Sequence, residues 1–324
     1  MSRSTPPPSV GVRLEWAAMP AAVRAAVEDA LGSPVVKATS QLSGFSPGVA
    51  ARLQLADGRR LFLKAIGPTP NPDSPKFHRR EAQIVAAIPS VAPVPRLLGF
   101  YDEGEAGWFV LWFADIEGRH PVQPWIAADL DRVMTALIDL SALLTPSPLS
   151  HPLVADAADT LRTEICGWGT LAGETPSHVD ELDPWSHRHL AALVALEAEA
   201  PAAIVGNTLL HFDLRADNIL LTPEQVWIVD WPHVRIGAAW ADTLFFAPSV
   251  TMQGGPPPEQ LLARHPASHR TDPRAITAVV AAVAGFFIHR SLQPAPSGLP
   301  TLRAFQAAQG AVAREWLAER TGWT

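Results

Sequence analysis

Apolar and polar positions alternate along much of the first third of the chain, which is the pattern of half-buried β-strands. The alternation predicts five strands, at residues 35–42, 49–55, 60–66, 97–101 and 108–113. Asp57-Gly58, between the second and third of them, is a strong hairpin signal. A helical period predicts one helix over residues 12–31, ended by Gly32, and another over residues 77–88. Residues 35–113 are therefore predicted to form an antiparallel sheet with one inserted helix.

After about residue 118 the hydrophobic period becomes helical. It predicts helices at residues 125–144, 155–165, 187–199, 260–264, 275–291 and 302–319, with short strands at residues 218–221 and 226–229. The whole pattern predicts an α+β fold with two lobes. Residues 1–12 are expected to be a flexible tail, residues 13–115 a β-rich N-terminal lobe, and residues 116–324 a mainly helical C-terminal lobe, with a hinge near residues 113–118. A cleft between two lobes is a favoured place for a ligand.

The composition excludes several classes of protein. Of the 324 residues, 48% are apolar and 18% are charged, so the chain can bury a sizeable core. The net charge of −7 argues against nucleic-acid binding. The longest nearly uncharged apolar stretch, residues 275–288, is shorter than a membrane span, and the single cysteine, Cys166, excludes an intramolecular disulfide. We therefore expect a cytoplasmic protein that binds neither nucleic acid nor membrane, and its oligomeric state stays open.

The segment from His211 to Asn218, HFDLRADN, carries the strongest chemical signal. It contains H-x-D-x₄-N, and an apolar strand follows that ends in Asp230, 12 residues after the asparagine. This is the spacing of a kinase catalytic loop, in which the first aspartate accepts the proton of the substrate hydroxyl. The asparagine and the later aspartate supply the hard oxygen ligands that Mg²⁺ requires. The spacing predicts Asp213 as the catalytic base and Asn218 and Asp230 as metal ligands, whereas the alternative is a polar turn between two strands.

Lys64 stands out because the chain has 22 arginines but only three lysines. It lies in an apolar strand after the Asp57-Gly58 turn, where a kinase places the lysine that pairs with the α- and β-phosphates of ATP. The expected partner is Glu81, which lies 17 residues further on in the predicted helix. The alternative is a lysine whose stem covers the sheet edge while its ammonium group and Glu81 are solvated.

Two further segments are candidates for nucleotide contacts. Ser43 and Gly44 begin the turn-rich SGFSPG between the first two strands, where glycine lets backbone N–H groups approach phosphates closely. The end of the fifth strand, at Trp112 and Ala114, is expected to offer an adenine apolar faces and backbone hydrogen-bonding groups. An ordinary hairpin loop and a buried strand are the respective alternatives.

The order of these segments resembles that of the aminoglycoside phosphotransferase family. The family stretch usually reads H-G-D-L-x-x-x-N-I-L and then I-D-W, and HFDLRADNIL and IVDWPH are similar. The resemblance implies a protein-kinase-like fold in which His211 supports the catalytic loop through hydrogen bonds and Asp242 buttresses it, although Asp242 could instead cap a helix. Phe212 and Arg215 depart from the usual pattern. Arg215 could meet the γ-phosphate or pair locally with Asp217.

The resemblance implies an ATP-dependent kinase that uses Mg²⁺ and phosphorylates a hydroxyl group of an antibiotic or a metabolite, with GTP as an alternative donor. A non-catalytic nucleotide-binding scaffold and a nucleotidyl transferase on the same fold are competing hypotheses. Acidic side chains in residues 174–183, together with Asp129 and Asp131, are candidates for binding a polycationic acceptor, and a solvated surface is the alternative. The acceptor stays open at this point.

Overall fold

The structure is a computed structural model that describes residues 7–8, 13–42, 44–45, 48–69, 74–174 and 176–324. Among these residues, the N-terminal part contains six strands and two α-helices. The strands are β1 (Arg13–Leu14), β2 (Val35–Ser40), β3 (Gly48–Leu55), β4 (Arg60–Ile66), β5 (Leu97–Asp102) and β6 (Phe109–Ala114), and the helices are α1 (Ala21–Leu31) and α2 (Ser74–Ala87). The five predicted strands are therefore confirmed, with ends that differ by at most two residues. The predicted tail falls on residues of which the structure describes only 7 and 8.

One sheet holds all six strands. The spatial order is β1–β3–β4–β6–β5, and β2 lies beside β3 on the same side as β1. Strand β1 runs parallel to the beginning of β3, and the other pairs are antiparallel. Strand β1 was not predicted. The predicted helix over residues 12–31 is wrong in its first half, because Pro20 stands at the N-cap and the helix begins at Ala21. Its predicted end holds, since Gly32 has a φ of 69°.

The two faces of the sheet have different environments. Leu61, Leu63 and Ala65 of β4 pack with α1 in an outer apolar core. The residues between them, Phe62 and Lys64, face the cleft on the other side. This alternation is the direct consequence of the two-residue period of a strand, and it turns Lys64 toward the cleft.

The C-terminal part is mainly helical. Its helices are α3 (Ala127–Leu143), α4 (Ala157–Thr163), α5 (Gly167–Gly173), α6 (Pro176–Asp180), α7 (Pro184–Glu197), α8 (Ala200–Ala203), α9 (Ala241–Met252), α10 (Pro258–Leu262), α11 (Pro273–Leu292) and α12 (Leu302–Thr321). Its strands form two antiparallel pairs, β7 (Thr208–Leu210) with β10 (Arg235–Gly237) and β8 (Ile219–Leu221) with β9 (Val226–Ile228). A sheet-rich N-terminal region and a helical C-terminal region confirm the predicted fold class. Helices α5, α6, α8 and α9 and strands β7 and β10 were not predicted.

Helix α11 is longer than the apolar stretch in the sequence indicates. It spans 20 residues, from Pro273 to Leu292, and is long and apolar enough to cross a membrane by length and composition. The middle of the helix, from Ala278 to Gly285, is buried, and the helix packs against α5, α7, α8 and α12. The core helix of a folded domain has the same composition, so the length alone does not distinguish the two settings.

Candidate active site

A cleft separates the sheet from residues 211–218, the predicted catalytic segment, which lies between β7 and β8. Its volume is about 1190 Å³, including the part that is open to solvent. Phe62, Val85 and Phe113 contribute apolar walls, and the polar lining includes Lys64, Glu81, Asp217, Asn218 and Asp230. A concave apolar pocket with a few convergent polar groups is the usual form of a small-molecule site.

Lys64 connects the two lobes at the centre of this cleft. Its Nζ donates hydrogen bonds to Oε1 of Glu81 at 2.7 Å and to Oδ1 of Asp230 at 2.6 Å. Burial disfavours the ammonium, but the charges of Asp230 and Glu81 outweigh it and raise the pKa of Lys64. Because Glu81 belongs to α2 and Asp230 follows β9, three distant parts of the chain meet at one ammonium group.

Glu81 is the more deeply buried of the two carboxylates, with 2% of its side chain exposed against 29% for Asp230. Its Oε1 also accepts the backbone N–H of Trp231 at 3.3 Å, and its Oε2 has no hydrogen-bond partner among the described residues. Burial raises the pKa of Glu81 despite the nearby ammonium. For Asp230, burial acts in the same direction, but the charge of Lys64 prevails and the pKa is lowered. Asp230 is therefore the group that holds its negative charge most firmly.

The catalytic segment contains a second ionic network, centred on Arg215. Its Nη1 donates to both carboxylate oxygens of Asp213, at 2.6 and 2.8 Å. Its Nε and Nη2 donate to the two oxygens of Asp217, at 3.0 and 3.2 Å. Burial opposes the charge, but Asp213 and Asp217 together raise the pKa of Arg215. The local pairing with Asp217 is thus present, and Arg215 also clamps the predicted base.

His211 and Asp242 hold the start of this segment in place. The two carboxylate oxygens of Asp242 accept the backbone N–H groups of His211 and Phe212, at 2.7 and 2.9 Å. Nδ1 of His211 accepts the N–H of Asp213 at 3.3 Å, so its Nε2 carries the proton and donates to the carbonyl of Val229 at 2.9 Å. Burial lowers the pKa of His211, which keeps the ring neutral in that tautomer. Trp240, rather than Asp242, is the N-cap residue of α9.

Asn218 orients the backbone before it. Its amide nitrogen donates to the carbonyl oxygen of Asp213 at 2.8 Å. This contact identifies the other atom of the amide group, which points away from that carbonyl, as the oxygen. The amide oxygen and the second carboxylate oxygen of Asp230 are hard donors that suit Mg²⁺. The described residues contain no group of three or more His, Cys, Asp or Glu side chains that could hold a metal by itself. A magnesium site built from one amide, one carboxylate and substrate phosphates agrees with both observations.

Two non-glycine residues of the site have left-handed backbones. Phe212 has a φ of 68° and Asp230 a φ of 70°. Aspartate adopts this region fairly readily, but for an aromatic residue it is strained by about 1–3 kcal/mol. Glycine therefore fits best at the position of Phe212. This explains why the family that the sequence resembles usually has glycine between the histidine and the aspartate. The Phe212 ring packs edge-on against Phe245, with 4.8 Å between ring centroids, and this contact offsets part of the strain.

The predicted nucleotide contacts in the N-terminal lobe have mixed outcomes. Ser43 lies outside the described residues. Gly44 lines the cleft with a φ of 93°, a conformation that favours glycine. Trp112 does not line the cleft, because its side chain points into the outer core beside α1. Ala114 lines the cleft, but its N–H already donates to the carbonyl of Arg96 at 2.9 Å, so it is not the donor for an adenine edge.

Arg13 and His78 are among the cleft residues that the reasoning from sequence missed. Arg13 comes from β1, and its segment was interpreted as part of a helix, so no signal pointed to it. His78 lies one helical turn before Glu81 on α2, and the i, i+3 spacing could have identified it. Burial and the nearby Lys64 lower the pKa of His78 to about 3, so the ring is neutral at physiological pH.

The candidate polycation-binding acids are engaged elsewhere. Asp129 accepts two hydrogen bonds from Arg119, at 2.7 and 2.8 Å, and Asp131 pairs with Arg264 at 2.9 Å. Glu174 contacts two histidines, and Asp183 caps α7. These contacts account for four of the candidate acidic side chains, those of Asp129, Asp131, Glu174 and Asp183, without an acceptor.

The geometry agrees with what known proteins show. The sequence profile of the phosphotransferase enzyme family matches residues 42–279 of this chain. None of the curated protein sequences matches the chain closely enough to count as a relative. Many solved structures share the fold at low sequence identity.

Three of those structures illustrate the likeness. A choline kinase from Streptococcus pneumoniae has 14% identity and a TM-score of 0.57, over 90% of this chain and 98% of that one. A spectinomycin phosphotransferase in complex with ADP and spectinomycin has 13% identity and a TM-score of 0.57, over 91% and 98%. An amicoumacin kinase in complex with AMP-PNP and Ca²⁺ has 12% identity and a TM-score of 0.53, over 92% and 93%.

At this level of identity the three structures establish the fold, and they confirm the predicted protein-kinase-like architecture. The matched profile covers more than two thirds of the chain, including Lys64, Glu81, the catalytic segment and Asp230. The chain belongs to the phosphotransferase enzyme family, which confirms the prediction that it is a phosphotransferase.

Proposed function

We propose that the protein is a Mg²⁺-dependent kinase that transfers the γ-phosphoryl group of ATP to a hydroxyl group of a small molecule. The observation that carries the proposal is the convergence of Lys64, Asn218 and Asp230 in one cleft, with Asp213 in the loop beside it. Similar folds bind ADP or AMP-PNP, which supports an adenine nucleotide as the donor.

Each residue has a task in that reaction. Lys64 would bind the inner phosphates, held in position by Glu81. Asn218 and Asp230 would hold Mg²⁺, which supplies charge neutralisation on the phosphates when it is bound. Phosphoryl transfer through a loose transition state depends mainly on such positioning and on electrostatics.

Asp213 would orient the acceptor hydroxyl and accept its proton. Arg215 occupies one lone pair on each of its carboxylate oxygens, and an ionised carboxylate offers about four acceptor positions, so room remains for the acceptor. The contact also holds the carboxylate of Asp213 in one orientation. Arg215, held in turn by Asp217, is then a positioning residue for the base.

The acceptor is proposed only as a class, a hydroxylated antibiotic or metabolite. The similar structures include a choline kinase and kinases of two antibiotics, so the fold accommodates very different acceptors. The paired acids described above give no reason to favour a polycation.

The test is to incubate the protein with Mg·ATP and a panel of hydroxylated antibiotics and metabolites, and to measure acceptor masses. We expect one or more acceptors to gain a phosphate, and Mg·ATP turnover with water as acceptor to be detectable without any of them. Gain of AMP would instead indicate nucleotidyl transfer. Absence of both gains and of any turnover would favour a non-catalytic nucleotide-binding protein.

A further inference from the structure

Arg13 reaches the nucleotide cleft from a strand that precedes the rest of the N-terminal lobe. Strand β1 pairs in parallel with β3, and Arg13 stands opposite Gly48, directly after the loop that contains Gly44. Its side chain lines the cleft together with Lys64, Asp217 and Asp230. A two-residue strand thus brings a guanidinium group to a place that the sequence pattern did not suggest.

The guanidinium of Arg13 lies beside Gly44. A Cβ atom added to Gly44 would stand 2.9 Å from Nη2 of Arg13 and 3.8 Å from Oδ2 of Asp217. Glycine at this position therefore leaves the space that the guanidinium fills. The same geometry brings Arg13 close to Asp217, which belongs to the catalytic network of Arg215 and Asp213.

The charges around Arg13 identify which part of the cleft it occupies. Burial lowers the pKa of Arg13, while Asp230 and Asp217 act in the opposite direction. Arg13 and Lys64 both disfavour a charge on His78, so the three basic groups lie near one another. Arg13 therefore lines the cleft close to Asp217 and Asp230, beside the residues to which the proposed transfer is assigned.

We propose that Arg13 binds the terminal phosphates of the nucleoside triphosphate from the side of the Gly44 loop. This inference rests on the proposed function. A guanidinium presents a planar set of donors that matches two phosphate oxygens, and it keeps its charge when buried. Lys64 then holds the inner phosphates and Arg13 the outer ones, while Asp217 and Asp230 stabilise the guanidinium before the nucleotide arrives.

The competing explanation is that Arg13 only fastens β1 to the loop. If Arg13 only held β1 in place, its replacement would weaken the binding of every nucleotide equally. It would also lower the stability of the protein measured without nucleotide. A phosphate ligand would affect nucleotides according to their phosphates, because AMP lacks the groups that Arg13 contacts.

The experiment measures dissociation constants for Mg·ATP, Mg·ADP and AMP by isothermal titration, with the wild type, Arg13→Gln and Arg13→Lys. Arg59→Gln is the matched control, because Arg59 lies in the same lobe, is exposed and pairs with Asp57 in the hairpin turn. Thermal unfolding of each protein without nucleotide accompanies the titrations.

We expect Arg13→Gln to weaken the binding of Mg·ATP by about 10- to 100-fold, which is the size of effect that one charged hydrogen-bonding contact produces. The binding of AMP should weaken by less than about twofold. Arg13→Lys should recover part of the loss, and it also serves if the glutamine variant does not fold. Equal weakening of all three nucleotides, or unchanged Mg·ATP binding, would overturn the inference. Failure of the wild type to bind Mg·ATP would instead remove the proposed function on which the inference rests.

Discussion

Glu81 in the cleft and Glu197 in the helical core of the C-terminal lobe are buried to almost the same degree, with exposures of 2% and 5%. Their partners differ. Glu81 accepts a hydrogen bond from an ammonium that also binds Asp230 of the other lobe. Glu197 accepts backbone N–H groups of Trp168 at 3.1 Å and Gly169 at 2.8 Å, at the start of α5.

Glu197 is surrounded by close helix packing rather than by charge. A Cβ added to Gly285 of α11 would stand 2.7 Å from Oε1 of Glu197, the last residue of α7. Helices α7 and α11 therefore approach each other closely at this carboxylate. Burial raises the pKa of Glu197 to about 7, and the N–H donors offset only part of that effect. The comparison teaches that burial alone does not distinguish the two glutamates, whereas the cation that Glu81 shares with Asp230 does.

Asp230→Asn should have the largest effect on the cleft side of this comparison. Asparagine also accepts a left-handed φ, so the backbone can stay as it is, while Lys64 and Mg²⁺ lose a charge. We expect Mg·ATP turnover to fall by roughly 10²–10³-fold, the range for loss of one electrostatic contact in an active site. Asp159→Asn, an exposed control, should leave turnover unchanged. If Asp230→Asn retained more than about a tenth of the activity, the Lys64–Asp230 contact would not distinguish the cleft from the helical core in function.

Glu81→Gln should have a smaller effect on turnover and a clear effect on stability. Lys64 keeps Asp230 but loses the partner that fixes its position, so we expect kcat/KM for Mg·ATP to fall by roughly 10-fold and stability by about 2 kcal/mol. Denaturant unfolding and steady-state kinetics measure the two quantities. Glu117→Gln is the matched control, because Glu117 is exposed and its ion pair with Arg60, at 3.3 Å, lies on the surface. This substitution should change neither kcat/KM nor stability.

Glu197→Gln tests the core side through pH. The folded pKa of about 7 lies above the ordinary value of 4.5, so the folded state holds the proton more tightly. Stability from this group is complete below pH 4.5 and is lost as the pH rises to about 7, by up to about 3 kcal/mol. Glutamine does not titrate, so we expect the variant to lose that slope and to keep turnover near wild type after correction for folding.

The measurement for Glu197 is denaturant unfolding at pH 5 and pH 7.5. Glu199→Gln is the control, because Glu199 lies just after α7, is exposed and forms an ion pair with Arg274. The hydrogen bonds from Arg274 lower the pKa of Glu199. An unchanged pH slope in Glu197→Gln, or a loss of turnover as large as that of Glu81→Gln, would remove the distinction between the two glutamates.

Local patterns explain which parts were predictable from the sequence. The strands of the sheet follow from alternation, and Asp213, Asn218 and Asp230 follow from spacing within 18 residues. Lys64 and Glu81 were found because lysine is rare in this chain and the strand–helix order is regular. In each case the signal lies in one short stretch of sequence.

The missed features depend on tertiary contacts. Strand β1 is two residues long and forms by pairing with β3, so its Arg13 carries no period of its own. The side of the sheet that Trp112 faces follows from the register of β6, which the expectation about adenine did not consider. Glu197 is buried by helices distant in sequence, and its donors are backbone N–H groups, which leave no mark in a sequence.

The most direct test of the account is Asp213→Asn, assayed for Mg·ATP turnover and for Mg·ATP affinity in the same preparation. Asparagine keeps an oxygen for Arg215 but cannot accept the acceptor proton. The account predicts that turnover falls by roughly 10²–10⁴-fold, the usual contribution of a positioned base, while the dissociation constant for Mg·ATP stays within threefold of wild type. Turnover at the wild-type rate would contradict the central claim that Asp213 is the base of a phosphoryl-transfer site.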